Sequence, residues 1–193
     1  MSGLSNLHSL FVRGKVLGSE LKRHQIAWLV TSLGVATTLA SCNTVTADQY
    51  EATAQTTLTW QVKYSINPTT DKNPRFEEFA SNSLLNRNGE KPEGRVIGPD
   101  EKGLWWPIVP PQPSIDQVEQ RSKPDEKPSR PELLRTVKYQ ITYQQDGQTV
   151  TLPTNHQVYR QVARAYPYEK PLQLTLGIND ASVEKAEPLD NYN

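Results

Sequence analysis

The sequence predicts an α+β fold, with a small antiparallel sheet, one or two helices packed on one face, and a long Pro-rich irregular segment. Three observations predict it. Apolar and polar residues alternate over residues 57–66, and again on both sides of the pair Asp146-Gly147. Apolar residues recur at helical spacing from Val158 to Tyr166. The 15 prolines all follow residue 42, with the densest group at 107–113.

Composition bounds the rest. The 193 residues suit one domain with appended segments, and 35% hydrophobic content implies a modest core. Lysine and arginine balance aspartate and glutamate, 21 against 21, which removes a bulk electrostatic case for nucleic acid. A single Cys excludes an intramolecular disulfide and a Cys-cluster zinc site.

Residues 1–41 read as an N-terminal extension and signal peptide. Lys22, Arg23 and His24 precede the uncharged run Ile26–Ala40, and the next charged residue is Asp48. A basic flank before a short apolar run is a secretion signal. As a helix the run reaches about 22 Å, short of roughly 30 Å of bilayer hydrocarbon. Residues 1–20 exceed the usual length before such a run. A start at Val12, Val16 or Leu17 accounts for them, and a cytoplasmic tail is the alternative.

Leu39-Ala40-Ser41-Cys42 closes the run with a leucine, two small residues and the chain's only Cys. This resembles the lipobox of bacterial lipoproteins. The resemblance covers residues 21–43 and implies cleavage before Cys42, diacylation of its thiol and membrane attachment through that lipid. The alternative is an uncleaved anchor extending to Val45, about 20 residues and long enough to span. Both put the remaining chain outside the cytoplasm. The Gln/Thr/Pro-rich chain after the lipobox resembles the uncharacterised lipoproteins of cyanobacteria, which implies a plasma or thylakoid membrane with the protein facing periplasm or lumen.

Residues 42–56 read as the lipidated Cys followed by a flexible tether, since Asn43–Thr57 is polar and shows no core pattern. The α+β domain is expected over 57–180. Leu58, Trp60, Val62, Tyr64 and Ile66 form its first strand. Asn73 and Pro74 can open a helix carrying Phe76, Phe79, Ala80 and Leu84, with Asn88-Gly89 as its stop. A Pro-rich insertion spans 90–131. Within it, Trp105–Pro113 must be extended but cannot be a central strand, because four prolines donate no backbone hydrogen bond. Ser114 and Gln117 have capping-box spacing for a short helix.

Val137, Tyr139, Ile141 and Tyr143 alternate up to Asp146-Gly147, a type I′ turn signal. Pairing Gln145 with Gln148 sets Tyr143 opposite Val150 and Ile141 opposite Leu152, so the apolar face agrees across the hairpin. Thr154 to Gln157 has capping-box spacing before the stripe Val158, Tyr159, Val162 and Tyr166. Leu172, Leu174, Leu176 and Ile178 form a last strand, and 181–193 reads as a polar tail.

Chemistry is sparse. His156 is the only His after Cys42, and no second His or free thiol can partner it. Motifs for a nucleophile elbow, zincin, Walker A loop or dinucleotide site are missing, so no catalytic residue, cofactor or metal is assigned. Glu77 and Glu78 would diverge by about 100° on a helix. Trp105 and Trp106 point to opposite sides of an extended segment, so one ring is expected in the core and the other exposed as a partner contact. The expected role is a membrane-anchored, non-catalytic lipoprotein that binds or helps assemble an envelope or membrane protein complex. A glycan- or peptidoglycan-binding lipoprotein and a hydrolase with an unrecognised site are the competing readings.

Overall fold

Alternation that begins well before Thr57 makes residues 50–65 a single sixteen-residue strand in the computed structural model, which describes residues 43–189. This strand, β2 (Tyr50–Ser65), follows β1 (Thr44–Ala47) across a bend at Asp48-Gln49. After them come β3 (Arg75–Arg87), α1 (Ile115–Gln120), β4 (Lys127–Pro128), β5 (Glu132–Gln145), β6 (Gln148–Thr154), α2 (His156–Ala165), β7 (Leu172–Leu176) and β8 (Val183–Pro188). The run Ile26–Ala40 and Cys42 lie outside the described residues. Among those described, no helix is long and apolar enough to cross a membrane.

The strands pair in the order β1-β7-β8-β6-β5-β2-β3, with β4 added to β2. Because β1 runs on into β2 through the bend, the path leaving β2 through β5, β6, β8 and β7 returns to the stretch it left. Five runs of chain therefore close a barrel. Among the described strands only β6 and β8 pair in parallel, through Thr154 and Val183, and the Thr154 hydroxyl donates to the Val183 carbonyl at 2.6 Å. A long bent first strand, parallel third and fifth strands, and a helix between the third and fourth are the connectivity of an oligonucleotide/oligosaccharide-binding (OB) barrel. Residues 66–131 are then one large insertion between its first and second strands. β3 belongs to this insertion and widens the sheet along most of β2, from Thr53 to Tyr64.

The barrel interior is built from small residues on one strand and large ones on the others. Ala47, Ala52 and Ala54 are fully buried, and α2 lies against β2 and β8. Val158, Tyr159, Val162 and Ala165 of α2 meet Ile141, Tyr143, Leu172, Leu174, Leu176 and Val183. Each fully buried Val, Leu or Ile contributes about 1.5–3 kcal/mol. Asn155, rather than Thr154, caps α2, its side chain accepting from Val158 N–H at 3.0 Å. A second cluster of Val62, Tyr64 and Val118, with Phe79 against it, sits under the far half of β2.

Several sequence expectations are corrected. The small antiparallel sheet with helices on one face is instead an eight-stranded mixed sheet, and α2 is the one helix longer than two turns among the described residues. The helix expected from Asn73 is strand β3. A bulge opposite Trp60 shifts its register at Phe79-Ala80, and Asn82 and Asn86 take inward positions, so its apolar spacing imitates a helix. The tether over 43–56 is β1 and the start of β2, whose inward alanines are small because the core is close. The polar tail from 181 contains β8, with Val183 and Ala186 buried. Ile178 lies beyond β7 and is exposed. The β5–β6 hairpin has the expected register, with Asp146 and Gly147 at φ 51° and 77°.

Candidate functional site

A proline-broken segment has few backbone partners of its own, so its remaining N–H and C=O groups must be satisfied by something else. Residues 104–113 solve this by lying across the inward face of β2 and β3 as a strap, where side chains replace a neighbouring strand. Asn86, fully buried, accepts from Trp105 N–H at 2.8 Å and donates to the Trp105 carbonyl at 3.0 Å. The Thr56 hydroxyl donates to the same carbonyl at 2.8 Å. Asn82 donates to the Ile108 carbonyl at 2.8 Å, and the Trp60 indole to the Pro110 carbonyl at 2.9 Å.

Upstream, a tight loop orients the second tryptophan. Trp106 and Ile97 exchange both backbone hydrogen bonds, at 2.8 and 2.9 Å. The carboxylate of Asp100 accepts from Lys102 and Leu104 N–H and from the Trp106 indole, at 2.9, 2.9 and 2.8 Å. Burial alone would raise the Asp100 carboxyl, but these donors hold it below its ordinary value. His156 lies half-buried against this loop, with its Nε2 3.3 Å from the Lys102 carbonyl. It therefore helps dock a loop.

The two tryptophans separate as the extended geometry requires. Trp106 is buried, with the Arg135 guanidinium 5.4 Å from its ring. Trp105 is half-buried, with the Lys91 ammonium 5.5 Å from its ring. Exposed apolar residues gather on the same stretch of chain, at Ile97, Ile108, Val109 and Ile115. Downstream, α1 has the expected capping box, with Ser114 N–H on Gln117 Oε1 at 2.9 Å and Gln117 N–H on Ser114 Oγ at 3.3 Å. Beside it lies a groove of about 240 Å³ that includes Pro113, Ile115, Val118, Pro128 and Pro131.

The segment after α1 is fastened to β3 by ions. Arg75 donates to both carboxylate oxygens of Glu126, at 3.1 and 2.6 Å, and also binds Glu77. Arg75 and the Lys123 N–H hold the Glu126 carboxyl down at about 2. The Arg121 guanidinium lies 4.1 Å from the Phe79 ring centre and reaches Glu77 at 3.4 Å. Glu77 and Glu78 face opposite sides of β3, so they form no carboxylate pair.

Sequence reasoning singled out Trp105 and Trp106 but missed Asn86, Thr56 and Asp100, which position them, and Asn82, which holds Ile108. Asn82 and Asn86, four apart on one face of a strand, are the signal that was present. Among the described residues, no group of three His, Cys, Asp or Glu side chains is placed to hold a metal ion. Comparison with protein-family models, with curated proteins and with solved structures finds no match. The barrel connectivity thus rests on strand order, and it carries no ligand with it.

Proposed function

We propose that this protein is a membrane-anchored, non-catalytic lipoprotein that binds or helps assemble an envelope or membrane protein complex on the extracytoplasmic side. The anchor rests on Leu39–Cys42. The binding role rests on one observation: the exposed apolar side chains of residues 97–115 stand on a segment fixed to the sheet by side-chain hydrogen bonds. A surface already held in shape loses little conformational entropy on association. Exposed apolar residues on one fixed segment, with an aromatic beside them, are the composition of a protein contact.

The test replaces Ile108 and Val109, which are exposed and carry no side-chain hydrogen bonds. Ile108→Ser with Val109→Ser should leave the melting temperature within about 4 °C, since each surface change alters stability by roughly 0.5 kcal/mol. It should abolish recovery of a crosslinked partner from detergent-solubilised membranes. A wild-type protein recovered alone, or a variant that retains its partner, contradicts the reading.

A further inference from the structure

The described fold begins at Asn43, the residue directly after Cys42. Asn43 is firmly held. Leu176 N–H donates to its carbonyl at 2.8 Å, extending the β1–β7 pairing by one residue. Its side-chain amide reaches both carboxylate oxygens of Asp180, at 2.9 and 3.0 Å. Asp180 belongs to the turn 177–182 between β7 and β8. That turn is closed by Gly177 N–H on the Ser182 carbonyl at 2.9 Å and Asp180 N–H on the Gly177 carbonyl at 3.0 Å. The turn carries one large apolar side chain, Ile178, which is 81% exposed, more than any other large apolar residue described.

These facts fix a distance. Consecutive Cα atoms are about 3.8 Å apart, and Ile178 is two residues from the Asp180 that binds Asn43. With about 5.5 Å between the paired Cα atoms of Asn43 and Leu176, the Cα of Ile178 therefore lies within about 17 Å of the Cα of Cys42. A flexible tether of fourteen residues would have spanned roughly 20 Å and left the domain free to turn. A strand that starts one residue after the lipid does neither.

We propose that the β7–β8 turn is a bilayer contact, with Ile178 inserted at the headgroup boundary beside the lipid on Cys42, so that the barrel meets the membrane in one orientation. This rests on the anchor reading above. The occupant is a lipid surface because the described chain starts at Asn43, bonded to this turn, and on the anchor reading the residue before it carries the lipid. An apolar side chain held at that level gains by entering the interface.

The experiment uses the full chain, acylated in a bacterial host and reconstituted into phosphatidylcholine vesicles. Cys42 is the only cysteine, and acylation removes its thiol, so Ile178→Cys can be labelled with one nitroxide. Thr70→Cys, in the exposed β2–β3 turn, serves as the reference. Collision with oxygen, which concentrates in lipid, should exceed collision with a water-soluble nickel chelate severalfold at 178, and the reverse should hold at 70. Equal nickel access at both positions in protein shown by intact mass to be acylated overturns the contact and leaves the anchor standing. A label at 178 shielded from both reagents means that protein covers the turn, which also overturns it. Unacylated Cys42 removes the anchor and the contact together.

Discussion

The side chain of Asn86 pairs with both backbone groups of Trp105, taking its N–H at 2.8 Å and giving an N–H to its carbonyl at 3.0 Å. One amide thus does what a neighbouring strand would do. It lets a segment whose prolines cannot join a ladder lie flat on the sheet. Burial of Leu104 and Trp106 holds the strap as well, while Ile108 and Val109 face outward.

Asn86→Ala should therefore destabilise the fold by about 2–4 kcal/mol, because it leaves the buried backbone of Trp105 short of partners. Urea unfolding measures this. A cost below about 1 kcal/mol would mean that the bonds from Thr56, Asn82 and Trp60 hold the strap without Asn86.

Trp106→Ala should cost about 3–5 kcal/mol through loss of a buried ring. The same change strands one acceptor oxygen of Asp100. Trp105→Ala should cost less than half as much, because its ring is half-exposed and its backbone bonds survive. Equal costs in thermal unfolding would show that both rings are core.

Glu126 gives the fold an acid dependence whose sign is fixed by its bond to Arg75. Its carboxyl is lowered from an ordinary 4.5 to about 2. The stability it contributes is therefore complete above about pH 4.5 and is lost as pH falls toward 2. Urea midpoints measured across that window should fall in the wild type. They should fall less steeply in Glu126→Gln, and identical slopes would contradict the pairing.

Amides of β1 and early β2 should exchange slowly, with Ala52 and Ala54 among the most protected. Both residues are fully buried, and Ala52 N–H is bonded to the Asn88 side chain at 2.8 Å. Exchange at the rate of unstructured chain over residues 44–56 would restore the tether and remove the basis for an oriented anchor.

What the sequence made legible follows from side-chain size. The β5–β6 hairpin was readable because Tyr143, Ile141, Val150 and Leu152 are large and alternate cleanly. β1 and the start of β2 were not, because Ala47, Ala52, Ala54 and Thr56 face inward as small residues and look like a polar linker. β3 was misread because its inward asparagines bind a backbone instead of filling a core, and a bulge broke its alternation. The split of Trp105 and Trp106 was visible from geometry alone. Asp100 was not, since an acid two to six residues before its donors has no pattern until the loop is folded. Barrel closure was equally hidden, because it depends on a bend at Asp48-Gln49 in a stretch with no apolar signal.

The proposed membrane attachment rests on one residue, Cys42. Intact mass of the protein extracted from membranes tests it most directly. The predicted result is a chain that begins at Cys42 and carries the added mass of acyl groups on that residue. A chain that keeps residues 1–41, or one cleaved elsewhere with a free Cys42 thiol, contradicts it.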